Sequence, residues 1–151
     1  MAALICAAKA VISPLPNIEP VTLLVMLCAL TFGRQAFYAI YVFVGLEFLL
    51  YGFGMWFFNY LYVWTVLALV CLPFRSNRSP VFWSIVSGFF GLGFGTLCTL
   101  PYLITGGPAA AFSYWVSGLG FDITHCIGNV ILCLVLFKPL YALLEKSMKR
   151  A

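Results

Sequence analysis

At 151 residues the chain is long enough for one domain, and 64% of it is hydrophobic while only 8% is charged. Soluble globular proteins carry about 25% charged residues, so the apolar excess here has to face lipid. Eight Lys and Arg against four Asp and Glu leave a net charge of +4, but the basic residues sit in short turns and at the C-terminus, with no basic patch; this sets nucleic acid aside as a partner and points to membrane orientation.

Proline, glycine and charge divide the chain into six apolar stretches, at about 2 to 13, 20 to 33, 36 to 53, 57 to 72, 80 to 104 and 116 to 145. In lipid each stretch must satisfy its own backbone hydrogen bonds, so each is expected to be a helix. The breakers are Ser13-Pro14-Leu15-Pro16, Gly33-Arg34-Gln35, Gly52-Phe53-Gly54, the run from Pro73 to Pro80 with Arg75 and Arg78, and Gly106-Gly107-Pro108. Several stretches are shorter than the roughly 20 residues that cross a bilayer, which implies short or tilted spans. The opening MAALICAAKAV has no basic region ahead of its apolar run, and Lys9 interrupts that run, so it is read as a retained membrane segment and not a signal peptide.

Loop charge tests this count independently of length. With six helices, Arg34, Arg75, Arg78 and the C-terminal Lys138, Lys146, Lys149 and Arg150 all fall on one side and the opposite loops carry no Lys or Arg. The positive-inside rule makes that side cytoplasmic. The expected fold class is therefore all-α: an integral membrane bundle of six transmembrane helices with N- and C-termini cytoplasmic, residues 1 to 151 forming a single transmembrane domain. No internal repeat of the kind found in transporter halves is visible.

Ionisable residues inside such spans cost on the order of 3 kcal/mol each and so demand a reason. Lys9 has two: snorkelling toward the cytoplasmic headgroups, or pairing with an acid. Asn17 and Glu19 open the second helix, either as an N-terminal cap and dipole partner or as a loop facing a ligand. Glu47 either faces a cavity or pairs with Lys9 or Arg34. In YGFGMWFFNYLYVW, Trp56, Asn59 and Tyr60 belong either to an interfacial aromatic belt or to a loop that bends over a flat ligand. Asp122, His125 and Asn129 are three and four residues apart, hence on one stripe of the last helix, where Asp122 and His125 are able to touch. The stripe lines a polar pocket in one reading and glues helices in the other. Glu19 and the Asp122 stripe are expected to converge on one hollow.

Ser87, Gly91, Gly95 and Thr99 recur every four residues and include a GxxxG step for close helix packing. Ala3 and Ala7 form an AxxxA step, a flat face able to dock a partner helix. Cys6, Cys28, Cys71, Cys98, Cys126 and Cys133 show no CxxC pair and His125 is the only histidine, so the cysteines are read as small hydrophobes and neither a metal nor a cofactor is expected.

The short first helix with AxxxA, the SPLPNIEP turn, the aromatic third loop, the glycine-rich fifth helix and a last helix reading FDITHCIGNV before a Pro-Leu step together resemble the substrate-binding S components of bacterial energy-coupling factor (ECF) transporters. The resemblance covers nearly the whole chain through diffuse motifs. It implies a six-helix subunit of the bacterial cytoplasmic membrane that binds a vitamin-like small molecule from outside. It also implies docking, through Ala3 and Ala7, onto a transmembrane coupling subunit driven by two ATPase subunits. The chain has no GxxxxGK[ST] phosphate loop, so ATP hydrolysis falls to those partners. Two other classes stand beside this: an intramembrane enzyme with Asp122 and His125 as an acid–base pair, which lacks HExxH and GxSxG motifs, and a structural subunit of a membrane complex.

Overall fold

A computed structural model describes residues 1 to 12 and 18 to 149. Among them the chain forms six α-helices: α1 Ala2–Ile12, α2 Val21–Phe32, α3 Ala36–Tyr51, α4 Met55–Cys71, α5 Pro80–Cys98 and α6 Leu100–Met148, with 3-10 turns at Gly33–Gln35 and Leu72–Phe74. By length and composition four stretches are able to cross a membrane: Val21–Tyr51, Met55–Phe74, Pro80–Cys98 and Leu100–Met148; α1 is apolar but shorter. Asn17 lies outside the described residues.

α2 is the axis of the molecule. Its sequence VTLLVMLCAL is apolar on every side, as a helix surrounded by other helices requires, and every residue from Val21 to Leu30 is buried. It packs against each of the other five helices. Those helices in turn present large side chains outward, among them Tyr38, Leu49, Phe89, Ile104 and Val135, a coat that suits lipid and not water.

α5 and α6 pack most extensively, because glycine lets their backbones meet. A Cβ on Gly91 would stand 2.9 Å from the backbone nitrogen of Cys126 and 3.0 Å from its Cα. Ser87 Oγ donates to the carbonyl of Asn129 at 3.2 Å, and Asn129 Nδ2 donates back to the Ser87 carbonyl at 3.0 Å and to Thr22 Oγ1 at 3.3 Å. Asn129 thereby ties α2, α5 and α6 together.

The basic residues mark one end of the bundle. Arg75 Nε donates to the Leu30 carbonyl at the C-terminus of α2, at 3.5 Å, where the helix dipole is negative. Its guanidinium also lies against Gly33, whose φ of 61° suits glycine. The Arg78 guanidinium lies 4.5 Å over the Tyr141 ring near the end of α6. Met1 lines a groove with Phe32 and Gln35 at this same end. α1 runs away from it, and that carries Lys9 to the opposite end, where it ion-pairs with Glu47. Snorkelling toward the basic end is thus excluded, because the lysine sits near the far terminus of its helix.

Two boundaries differ from the sequence reading. The fifth helix stops at Cys98 instead of about residue 104: Thr99 Oγ1 turns back to the Thr96 carbonyl at 2.7 Å, and Pro101, which has no N–H to extend α5, begins the next helix. Helix α6 then starts at Leu100, not near 116, and is broken at Gly107 (φ 76°), where Gly106-Gly107-Pro108 was expected to interrupt the chain.

Candidate functional site

Two hollows lined in part by polar side chains lie toward the end opposite Arg75 and Arg78. The first, about 280 Å³, opens between α5 and α6 and is lined by Phe94, Gly95, Tyr114, Ser117, Gly118, Phe121, Asp122 and His125. Helical periodicity explains the α6 contribution, since residues 114, 117, 118, 121, 122 and 125 share one face. Gly95 supplies the room: a Cβ there would lie 2.8 Å from Asp122 Oδ1. With that space open, the Gly95 N–H donates to Asp122 Oδ1 at 2.9 Å.

The other carboxylate oxygen, Asp122 Oδ2, is buried with no hydrogen-bond partner, and so is His125 Nε2. Asp122 is 4% exposed and His125 is 6% exposed. Buried polar atoms are almost always paired, and an unpaired one costs about 1 to 3 kcal/mol. Both atoms belong to residues one helical turn apart that line one hollow, and both lie buried beneath its wall with their hydrogen-bonding capacity unfilled. No hydrogen bond joins Asp122 to His125. The imidazole instead meets Phe94 edge-on, with centroids 4.9 Å apart.

The second hollow, about 430 Å³, is lined by Lys9, Glu47, Tyr51, Trp56 and Tyr60. Here the charged groups satisfy one another. Lys9 ion-pairs with Glu47, which is 1% exposed, and donates to Tyr60 Oη at 3.2 Å. Its ammonium also lies 5.3 Å from the Tyr51 ring centroid and 5.1 Å from that of Tyr60, within cation–π range. Glu19, ahead of α2, interacts electrostatically with Lys9 and Glu47; burial raises its carboxyl above the usual carboxylate range, Lys9 opposes that rise and Glu47 adds to it.

A wall of rings joins the hollows. Tyr60 and Trp64 stand 5.3 Å apart, and Trp64 and Phe94 5.8 Å apart. Trp64 is fully buried, yet its Nε1 has no partner. A wider groove of about 810 Å³, lined by Arg34, Gln35, Phe37, Tyr38, Tyr41 and Val42, is an open surface at the basic end and holds none of these groups.

The expected site residues are therefore divided. Asp122 and His125 share the first hollow, whereas Glu47, Trp56 and Tyr60 line the second and Glu19 stands beside it. The expected convergence of Glu19 and Asp122 on a single hollow is not found, because Tyr60, Trp64 and Phe94 stand between them. Asn129 is engaged in the helix-gluing bonds described above and lines neither hollow. Asn59 Oδ1 accepts from Tyr62 Oη at 3.1 Å. Trp56, Asn59 and Tyr60 lie on α4 and not on a loop, since α4 begins at Met55. Ala3 and Ala7 are both exposed, on the face of α1 turned away from buried Ile5.

Sequence reasoning missed Phe94, Gly95, Tyr114, Ser117, Gly118, Phe121 and Trp64. The period of Ser117, Gly118, Phe121, Asp122 and His125 carried a signal for most of the α6 wall. Nothing local marks Trp64, whose place depends on how α4 meets α5. No protein-family model, curated protein or solved structure matches the chain.

Proposed function

We propose that the chain is the membrane-embedded substrate-binding subunit of an ECF-type importer, with six spans, both termini cytoplasmic, and the Asp122–His125 hollow facing outward. The observation that carries the binding role is the pair of buried, unpartnered atoms, Asp122 Oδ2 and His125 Nε2, on two residues that line one small hollow. A ligand that satisfies both is held by desolvated polar contacts inside aromatic walls, the usual source of small-molecule affinity. The gathering of Arg75, Arg78 and Met1 at the far end supports the orientation. The importer class rests on the sequence resemblance, and the exposed Ala3 and Ala7 suit a docking face for a transmembrane coupling subunit energised by two ATPases in the bacterial cytoplasmic membrane.

Binding is favoured over intramembrane catalysis because Asp122 bonds to a backbone amide and not to the histidine, so no acid–base pair is assembled. Native mass spectrometry of the detergent-purified chain tests the role. A small molecule at near-stoichiometric occupancy is expected, lost on Asp122→Ala or His125→Ala. Purification without any bound small molecule, from cells making the full set of partners, refutes the reading. A tagged chain should also retain the coupling and ATPase subunits and release them when Ala3 or Ala7 is replaced by Trp.

A further inference from the structure

We infer that the ligand of the Asp122–His125 hollow is a planar nitrogen base bound as a cation, placing one N–H donor on Asp122 Oδ2 and another on His125 Nε2. This rests on the reading of that hollow as the ligand site and adds the chemical class that the site accepts.

The charge argument comes first. Asp122 Oδ1 is engaged by the Gly95 N–H, and Oδ2 has no partner. Among the described residues no basic side chain answers this carboxylate, and the one ion pair is Lys9 with Glu47. The arginines stand at the other end, Arg75 on the Leu30 carbonyl and Arg78 over Tyr141. A carboxylate out of water with no counter-charge is costly, and a ligand that brings a positive charge offsets that cost. An anion would add to it. A neutral ligand lacking N–H groups would leave Oδ2 as it stands.

The second argument is the donor pattern. Asp122 and His125 are one turn apart, and when Nδ1 carries the imidazole proton, Nε2 accepts an N–H as a carboxylate does. Two acceptors so placed match a ligand edge bearing two N–H groups, as in amidines and protonated aminoazines. Shape completes the case. The hollow is walled by Phe94 and Phe121 and kept open by Gly95 and Gly118. Its volume of about 280 Å³ is at the lower end of ligand sites, which suits one or two flat rings.

The test uses the full-length chain in lipid nanodiscs and calorimetric titration with three flat probes of equal size: benzamidinium, benzamide and benzoate. Benzamidinium is expected to bind tightest, benzamide more weakly and benzoate not at all. Asp122→Asn keeps an oxygen for the Gly95 N–H while removing the charge. It is expected to weaken benzamidinium by roughly tenfold or more, the effect of losing a charged hydrogen bond, and to leave benzamide unchanged. Benzoate binding as well as benzamidinium, an unchanged benzamidinium affinity in Asp122→Asn, or no binding by any probe overturns the inference. The two proposals fail separately. A co-purifying ligand that is anionic, or has no N–H, defeats the cation assignment and leaves the binding role intact, whereas a chain that neither co-purifies with a small molecule nor binds a probe defeats both.

Discussion

The two hollows show the same polar chemistry in two states of completion. Around Lys9, the charged groups have found partners within the chain: the ammonium meets Glu47, a phenol oxygen and two ring faces. Around Asp122, half the carboxylate and one imidazole nitrogen have none. Both clusters lie beside aromatic rings and both hold a buried acid, Glu47 in one and Asp122 in the other, so burial does not separate them. What separates them is whether neighbouring helices supply the counter-charge, which α1 does for Glu47 and, among the described residues, no helix does for Asp122. A closed cluster stabilises a fold, whereas an open one holds free energy that a ligand releases on binding. Mutations should therefore move stability in opposite directions at the two places.

The largest effect is expected from opening the closed cluster. Lys9→Met leaves Glu47 charged and unpaired, and removing one partner of a buried pair typically costs about 3 to 5 kcal/mol. Thermal or denaturant unfolding in detergent should show that loss, with much of it restored in the Lys9→Met/Glu47→Leu double variant. If the single variant is as stable as the wild type, the ion pair is not what holds α1 to α3. Next in size is Gly91→Ala, where the new Cβ meets the Cys126 backbone, which cannot yield as a side-chain tip does. Forcing α5 and α6 apart is expected to cost about 1 to 3 kcal/mol and to weaken ligand binding too, because the hollow lies between those helices. Retained stability with retained binding would show that the close approach is not required.

The third effect has the opposite sign. Asp122→Asn keeps the bond to Gly95 and removes a carboxylate that has no ion-pair partner among the described residues, so the ligand-free protein should be unchanged or more stable by about 1 kcal/mol. The same variant loses affinity for a cation. Destabilisation on the scale of Lys9→Met would mean that Asp122 has an internal partner after all, and the contrast between the clusters would collapse. Tyr60→Phe is a finer probe of the closed cluster. It removes one hydrogen bond from an ammonium that keeps its carboxylate and its ring faces, and should cost about 1 kcal/mol.

How much of this was legible in the sequence depends on the range of the interaction. Helix positions were, because proline, glycine and apolar runs act locally: the starts of α1, α3 and α5 fall at the expected residues. So was the shared stripe of Asp122 and His125, which follows from 3.6 residues per turn. The end of α5 was not, because Pro101 and the Thr99 side chain decide it and the glycine pair further on is the louder signal. Pairing with Lys9 was one of three options for Glu47, and the choice required knowing that α1 packs on α3 with its N-terminus at the basic end. Asn129 and His125 look alike on the stripe. Only the presence of Ser87 and Thr22 opposite Asn129 makes one of them glue and leaves the other open.

The smallest predicted effect lies at the edge of the closed cluster and reports how completely it is closed. Glu19 lies outside the helices, and its carboxyl is raised first by burial, with Lys9 opposing and Glu47 reinforcing the rise. A carboxyl whose pKa is higher in the folded chain than in the unfolded one leaves the folded state holding more protons between those two values, so stability is lost as pH climbs through that window and is regained below it. Unfolding followed from neutral pH down toward the ordinary carboxylate range should therefore show a modest gain in stability, and Glu19→Gln, which is neutral throughout, should flatten it. A slope of the opposite sign would mean that Lys9 outweighs burial at Glu19, so that the ammonium serves two carboxylates at once. In Glu47→Gln the ammonium is released from its first partner. Lys9 should then turn to Glu19 and reverse the slope, which makes the sign of a small pH dependence a direct measure of where the lysine's charge is committed.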